Sequence, residues 1–130
     1  MAPADVMRRY VDAMRRCDRE QAFSYYADDI VGHIPGRSAF AGERRGKQAV
    51  IEYIRAALAL AKERVELELV DMLVGEEHVA LLVRERLEGA GGAIDIRRAN
   101  VYRVRDGKID EIWIYEGDQY AVDEYFAAGG

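Results

Sequence analysis

Residues 93–116 read AIDIRRANVYRVRDGKIDEIWIYE and are typical of two β-strands joined by a tight turn. The dipeptide Asp106-Gly107 is common in two-residue hairpin turns, whose central residues need positive φ angles. The flanking segments, 93–105 and 108–116, are rich in residues that favour strands. We therefore predict an antiparallel hairpin at the centre of a β-sheet.

The first half of the chain shows helical periodicity instead. Apolar spacing predicts a first helix, a short second helix that begins at the N-cap Asp18, and a third helix over residues 47–62. The apolar stripe of the first helix consists of Val6, Met7, Tyr10, Val11 and Met14. The buried side of the second helix is predicted to consist of Phe23, Tyr26 and Ala27.

The segment between the second and third helices has an extended part and an irregular part. Residues 30–33 predict a short strand that ends at Pro35-Gly36. Residues 36–46 contain three glycines and show no periodicity, so we expect a long loop there.

Strand periodicity resumes before the central hairpin. Alternating apolar residues predict strands from residue 65 onward and over residues 78–88. After the hairpin, residues 118–127 predict a short amphipathic tail helix. The order, helices first and then an antiparallel meander of about four strands, indicates one α+β domain over residues 1–130.

Composition and charge exclude several classes of protein. Half of the 130 residues are apolar and a third are charged, which is a globular balance. The net charge of −5 without a basic tail argues against nucleic-acid binding, and the single cysteine excludes an internal disulfide. The longest apolar run, residues 56–61, is far too short to span a membrane, and no apolar signal segment begins the chain. We therefore expect a cytoplasmic protein.

The last predicted strand carries apolar side chains on both faces. Ile112 and Ile114 lie on one face, and Trp113 and Tyr115 lie on the other. The helices cover only one face of such a sheet. A second subunit is the simplest cover for the other face, which predicts a homodimer formed through the sheet.

His33 is the first candidate for acid–base chemistry. It follows an apolar strand and precedes the Pro-Gly turn, so we expect it at the edge of the core, beside a cavity. Imidazole titrates near neutral pH and is the commonest general base. The alternative, a structural histidine bonded to the backbone, stays open. His33 and His78 lie far apart and show no metal-ligand spacing, so no metal site is predicted.

Further polar residues are expected at the cavity or its rim. Asn100 and Arg98 share an apolar strand face, where a buried amide must bond to the protein or to a ligand. Tyr10 lies on the apolar side of the first helix, so its hydroxyl either packs in the core or finds a partner. Glu116 shares the face of Ile112 and enters the cavity or is solvated. Asp118 is a rim carboxylate or an N-cap.

Three segments together resemble a known family: residues 10–36 (YVDAMRRCDREQAFSYYADDIVGHIPG), 40–54 (FAGERRGKQAVIEYI) and 101–126 (VYRVRDGKIDEIWIYEGDQYAVDEYF). Their order and spacing resemble the SnoaL-like branch of the NTF2-like superfamily, which also includes ketosteroid isomerase. The resemblance covers nearly the whole chain. It implies a cone in which a curved antiparallel sheet wraps around three N-terminal helices and encloses an apolar cavity.

The resemblance to the isomerase implies roles for particular residues. The oxyanion tyrosine of its first helix falls on Tyr10, its aspartate base on His33, and its second oxyanion donor on Asn100. Glu116 is expected to orient His33 or a water molecule. The substrate is expected to contact Tyr26, Phe40, Tyr53, Ile112, Ile114 and Asp118.

Two of the three catalytic positions differ from the isomerase, so steroid isomerisation itself is not implied. The leading hypothesis is an enzyme of the isomerase, cyclase or lyase type that acts on a small apolar carbonyl compound by acid–base chemistry. Such chemistry implies no cofactor. The alternative is a non-catalytic ligand-binding or dimeric interaction domain of the same fold.

Overall fold

The computed structural model describes residues 1–62, 64–89 and 91–129. Within these residues the chain forms four helices and a curved, unclosed sheet of six strands. The helices are α1 (Pro3–Arg15), α2 (Arg19–Phe23), α3 (Lys47–Leu60) and α4 (Gln119–Ala127). The strands are β1 (Tyr26–Ile34), β2 (Gly42–Arg45), β3 (Val65–Val74), β4 (His78–Leu87), β5 (Ile94–Arg105) and β6 (Lys108–Glu116).

The strand order is β2-β1-β6-β5-β4-β3. The predicted hairpin is confirmed: β5 and β6 pair antiparallel, and Asp106 and Gly107 between them have φ angles of 52° and 74°. The meander from β3 to β6 is antiparallel throughout, and β2 pairs antiparallel with β1. The pairing of β1 with β6 is parallel, which lets the N-terminal half join the sheet. The predicted α+β class is confirmed.

The concave face of the sheet packs against α1 and α3. The predicted stripe of α1 is buried, with Met14 partly buried at its end. The predicted N-caps are also confirmed, because Asp18 accepts a hydrogen bond from the Gln21 amide and Asp118 accepts one from the Ala121 amide. In the described part of the chain no helix is long and apolar enough to cross a membrane.

Two expectations about the N-terminal half are wrong. Tyr26 does not belong to the second helix; it opens β1, where its side chain is 1% exposed. The predicted loop over 36–46 contains β2, so the sheet of six strands consists of the predicted four-strand meander together with β1 and β2. β2 reads Gly-Glu-Arg-Arg and lies at the edge of the sheet, where a strand needs no alternating apolar residues.

The hairpin turn provides a test of backbone strain. A Cβ atom at Gly107 would meet no atom within 4 Å, so Gly107→Ala introduces only the cost of a left-handed alanine. We expect a loss of about 1–2 kcal/mol in the free energy of unfolding, measured by urea denaturation. Asp106→Asn is the matched control, since asparagine tolerates positive φ, and should stay within about 0.5 kcal/mol of the parent protein. Equal effects of the two substitutions would contradict the assignment of the turn.

Candidate functional site

A cavity of about 320 Å³ lies between the concave sheet face and the helices α1 and α3. Its walls are mainly aliphatic and come from α1, α3 and every strand of the meander. Besides Arg15, Arg19 and Arg44, which also line the cavity, two groups of polar side chains interrupt this apolar surface. One is a cluster of tyrosines with Asn100, and the other is a set of three charged residues.

The tyrosine cluster joins α1 to the sheet. The Tyr10 hydroxyl hydrogen-bonds the Tyr26 hydroxyl at 2.6 Å, and the ring of Tyr10 lies 5.6 Å from the rings of both Tyr26 and Tyr102. All three side chains are buried. The partner that a buried Tyr10 requires is therefore supplied by Tyr26.

Burial changes the acidity of these hydroxyls. Loss of hydration raises the pKa of Tyr10, Tyr26 and Tyr102 well above the usual range of tyrosine, because the phenolate form would be poorly solvated. Desolvation also raises the pKa of Tyr53 on α3. All four residues are therefore neutral at physiological pH, and a neutral phenol can donate a hydrogen bond to a ligand oxygen.

Asn100 stands at the end of this cluster with one polar atom unpaired. Its backbone pairs with Leu81 and Ile114, whose side chains also line the cavity. Burial raises the pKa of the Tyr102 hydroxyl, and its interaction with the side chain of Asn100 opposes that rise. Across the described residues, Asn100 Oδ1 is the one buried side-chain oxygen or nitrogen without a hydrogen-bond partner. The unpaired atom is thus an acceptor on a residue that lines the cavity.

The charged group consists of Glu85 on β4, Arg98 on β5 and Glu116 on β6. The side chains of Arg98 and Glu116 are only 10% and 4% exposed. Arg98 donates to Glu116 through Nε at 2.9 Å and Nη2 at 2.6 Å, which makes a bidentate pair. Its contact with Glu85 is a single one of 3.4 Å from Nη1. The carboxylates raise the pKa of Arg98 although burial opposes this, so the guanidinium remains charged.

Several predicted site residues line this cavity. They are Tyr10, Tyr26, Tyr53, Asn100, Ile112 and Ile114. Glu116 is on the predicted face, but its partner is Arg98 and not His33. Phe40 lies behind the wall, where its ring contacts Tyr53 and Phe126. Asp118 caps α4, which agrees with the N-cap alternative and not with the rim carboxylate.

His33 does not line the cavity. Ile30, Gly32 and Ile34 of β1 are buried on the concave side, so His33 points to the opposite, convex face. There its Nε2 contacts Glu111 at 2.5 Å, and its ring stacks on Trp113 at 5.4 Å. The expectation that His33 opens into a cavity is wrong, because β1 extends through Ile34 and alternation sets the direction of every side chain in it.

The sequence also held a signal for a residue that was missed. Glu85 occupies the same strand face as Val79, Leu81, Val83 and Leu87, which are buried. A carboxylate at such a position is expensive unless it has a partner or a function. Arg98, on the apolar strand face that it shares with Asn100, lies in the wall of the cavity.

Among the described residues, no group of three or more His, Cys, Asp or Glu side chains is placed to hold a metal ion. In the part of the chain that the structure describes, the polar side chains that line the cone are four phenols, the Asn100 amide, the Glu85 carboxylate, the Cys17 thiol and the guanidinium groups of Arg15, Arg19, Arg44 and Arg98.

The sequence pattern of the SnoaL-like domain matches residues 7–112, which is most of the chain. The chain belongs to the SnoaL-like family. An uncharacterized protein of Mycobacterium bovis is 28% identical over 127 residues, which cover 97% of each chain.

Solved structures confirm the NTF2-like fold of this SnoaL-like protein. Bal32a, from a soil-derived mobile gene cassette, has a TM-score of 0.89 at 22% identity and covers 95% of both chains. An NTF2-like protein of Burkholderia pseudomallei has a TM-score of 0.81 at 17% identity, with coverage of 95% and 96%. A Mycobacterium tuberculosis protein in complex with estradiol-17beta-hemisuccinate has a TM-score of 0.73 at 22% identity, with coverage of 88% and 94%. At these identities the likeness concerns the fold.

The buried tyrosines give a prediction for alkaline pH. The unfolded chain releases tyrosine protons near pH 10, whereas the folded cluster retains them because its pKa values are raised. The contribution of these tyrosines to the free energy of unfolding is therefore complete below pH 10, and it is lost as the pH rises above 10. Each such tyrosine contributes a slope of up to about 1.4 kcal/mol per pH unit.

Urea unfolding between pH 8 and pH 11.5 measures this slope. Tyr26→Phe removes one of the contributing hydroxyls, so its unfolding free energy should fall less steeply above pH 10 than that of the parent protein. An equal fall in both proteins would show that Tyr26 ionises freely in the folded state.

Proposed function

We propose that this SnoaL-like protein binds a small, largely apolar molecule in the cone and carries out acid–base chemistry on its oxygen-bearing part. The observation that carries the proposal is the unpaired Oδ1 of Asn100 in the wall of a 320 Å³ cavity. A buried acceptor without a partner costs about 1–3 kcal/mol, which a ligand hydroxyl or enol recovers when it donates to Oδ1. Pockets of this size and apolar character are typical of small-molecule sites.

The surroundings of Asn100 specify the class of ligand. Aliphatic side chains such as Leu67, Leu69 and Val83 favour an apolar body. At one end of this body an oxygen function meets the amide of Asn100 and the phenols of Tyr102 and Tyr10. A carbonyl compound that forms an enol fits this end, because its oxygen can accept from a phenol and, as an enol, donate to Oδ1.

The family context supports this class of ligand. The fold includes isomerases and ligand binders. One solved relative holds an estradiol derivative, and another is a computationally designed binder of 17-OHP with a TM-score of 0.71. Both examples support an apolar ring compound as the ligand of this cavity.

Selective binding of a hydroxyl group tests the proposal. We expect the protein to bind 2-naphthol about 5- to 10-fold more tightly than 2-methylnaphthalene, since only the naphthol donates to Asn100 Oδ1. Asn100→Leu should abolish this preference while retaining affinity for the hydrocarbon. Isothermal titration calorimetry measures both affinities.

The matched control for this experiment is Glu68→Gln. Glu68 is exposed on β3 and pairs in register with Arg84, on the convex face. This variant should bind both compounds as the parent protein does. Equal affinity of the parent protein for the two compounds, or a preference that survives Asn100→Leu, would refute the role of Asn100.

We also propose a homodimer formed through the convex face of the sheet. Tyr115 lies there with 57% of its surface exposed, and Leu73 is also more than half exposed. Trp113 is partly covered by its own chain, because it stacks on His33 and lies 5.7 Å from the ring of His78. The exposed aromatic and aliphatic side chains around it favour a second subunit as the remaining cover.

Sedimentation equilibrium at micromolar concentration tests the dimer. We expect a species of twice 14.7 kDa, and Tyr115→Lys should shift it to the monomer by placing a charge in the contact. Tyr120→Lys is the matched control, because Tyr120 is exposed on α4 and away from the sheet. A monomeric parent protein would contradict the proposal.

A further inference from the structure

We propose that Glu85 is the proton acceptor of the cone cavity, the general base for chemistry on the bound molecule. This inference rests on the proposed function, since a base in the cavity acts only on a ligand held there. It assigns the base to β4 instead of β1, where the resemblance to the isomerase had placed it on His33.

The position of Glu85 is the first argument. Among the described residues that line the cavity, Glu85 is the one carboxylate, and no histidine is present in that lining. His33 and His78 both contact Trp113, whose position next to the buried Ile112 puts it on the convex face. A group that takes a proton from a ligand must come within hydrogen-bond reach of it, so these imidazoles are on the wrong side of the sheet.

The unequal contacts of Arg98 are the second argument. Two hydrogen bonds of 2.9 and 2.6 Å tie Glu116 to the guanidinium, and the carboxylate of Glu116 is almost fully buried. Glu85 has one contact of 3.4 Å, through Oε2. Glu116 therefore neutralises Arg98, and Glu85 supplies the additional negative charge of the three side chains. Its Oε1 has no hydrogen bond to a described residue, and it is not among the buried atoms that lack a partner.

The other groups around Glu85 suit the same role. Arg98 on β5 contacts Glu85 directly and holds Glu116 of β6 on its other side. Tyr10 on α1, Tyr53 on α3 and Tyr102 on β5 line the same cavity. The base and the phenols that hold a ligand oxygen are thus close enough to interact across one cavity.

The proposed step conserves atoms and electrons without a co-reactant. An oxygen of Glu85 forms a bond to a hydrogen on the carbon next to the ligand carbonyl, and the C–H bond breaks. Its electron pair becomes the C=C bond of the enolate, while the carbonyl π pair moves to oxygen, where a phenol of the cluster donates a hydrogen bond. Return of the proton from Glu85 to a different carbon completes an isomerisation and restores the carboxylate.

The role of Glu85 as a base can be tested without knowing the natural substrate, because 5-nitrobenzisoxazole is a carbon acid that can serve as the probe. In 5-nitrobenzisoxazole, loss of the proton at carbon 3 breaks the N–O bond and releases a coloured cyanonitrophenolate. We expect the protein to accelerate this elimination, and Glu85→Gln to lower the rate constant by at least about 100-fold. The exposed Glu68→Gln variant should retain the rate of the parent protein.

Binding is measured separately with 5-nitroindazole, which has a similar shape but no N–O bond. Affinity that stays within about threefold in Glu85→Gln, together with lost turnover, supports the base. Glu85→Asp keeps a carboxylate but withdraws it by one methylene, so it should have an intermediate rate. It also serves as the test if Glu85→Gln does not fold. Parallel loss of turnover and of 5-nitroindazole affinity in a folded Glu85 variant overturns the inference in favour of a binding role.

The remaining outcomes separate this inference from the proposed function. If the parent protein binds 5-nitroindazole but catalyses the elimination no faster than Glu85→Gln, the assignment of Glu85 as the base is overturned, whereas the proposed ligand binding stands. Elimination that survives Glu85→Gln but is lost in His33→Gln overturns the base in favour of His33. Failure to bind 5-nitroindazole and 2-naphthol alike overturns the proposed function, and the assignment of Glu85 with it.

Discussion

The buried pairing of Arg98 with Glu116 is the interaction on which the cavity depends. A charged side chain on a concave, mainly apolar face is stable only beside an opposite charge with good hydrogen-bond geometry. Glu116 provides this through two hydrogen bonds, and it is also the residue directly opposite Arg98 in the β5–β6 ladder. The ion pair and the backbone ladder therefore specify the same register. Removing one partner of such a pair costs about 3–5 kcal/mol, because the other is left buried and charged.

Once this register is set, alternation places the other polar groups. Asn100 and Tyr102 follow Arg98 at intervals of two residues, so all three point to the same side of β5. α1 packs over this line and brings Tyr10 against Tyr102, while β1 brings Tyr26 to the same point. The result is a cavity with apolar walls and a short line of polar groups.

The sequence allowed prediction of those features that depend on local patterns. The alternation of β5 and β6 placed Asn100, Ile112 and Ile114 correctly, and helical spacing placed Tyr10 toward the sheet. The features that depend on long-range pairing were not visible. β2 has no apolar pattern and is a strand only because it pairs with β1. Glu85 is an exception, since its place among the buried positions of β4 is a local signal in the sequence.

For His33, the assigned family is correct but the predicted direction of the side chain is wrong. The match in order and spacing identifies the position along β1, but the face is decided by the pleat, and Ile30 and Ile34 occupy the concave side. A histidine between them stacks on Trp113 and contacts Glu111 on the other side of the sheet. The sheet thus separates two sets of titratable groups, imidazoles with carboxylates outside and phenols with a carboxylate and a guanidinium inside. Only the inner set lines the cavity, where β4 supplies the carboxylate, β5 supplies an amide and a guanidinium, and α1, α3, β1 and β5 supply the phenols.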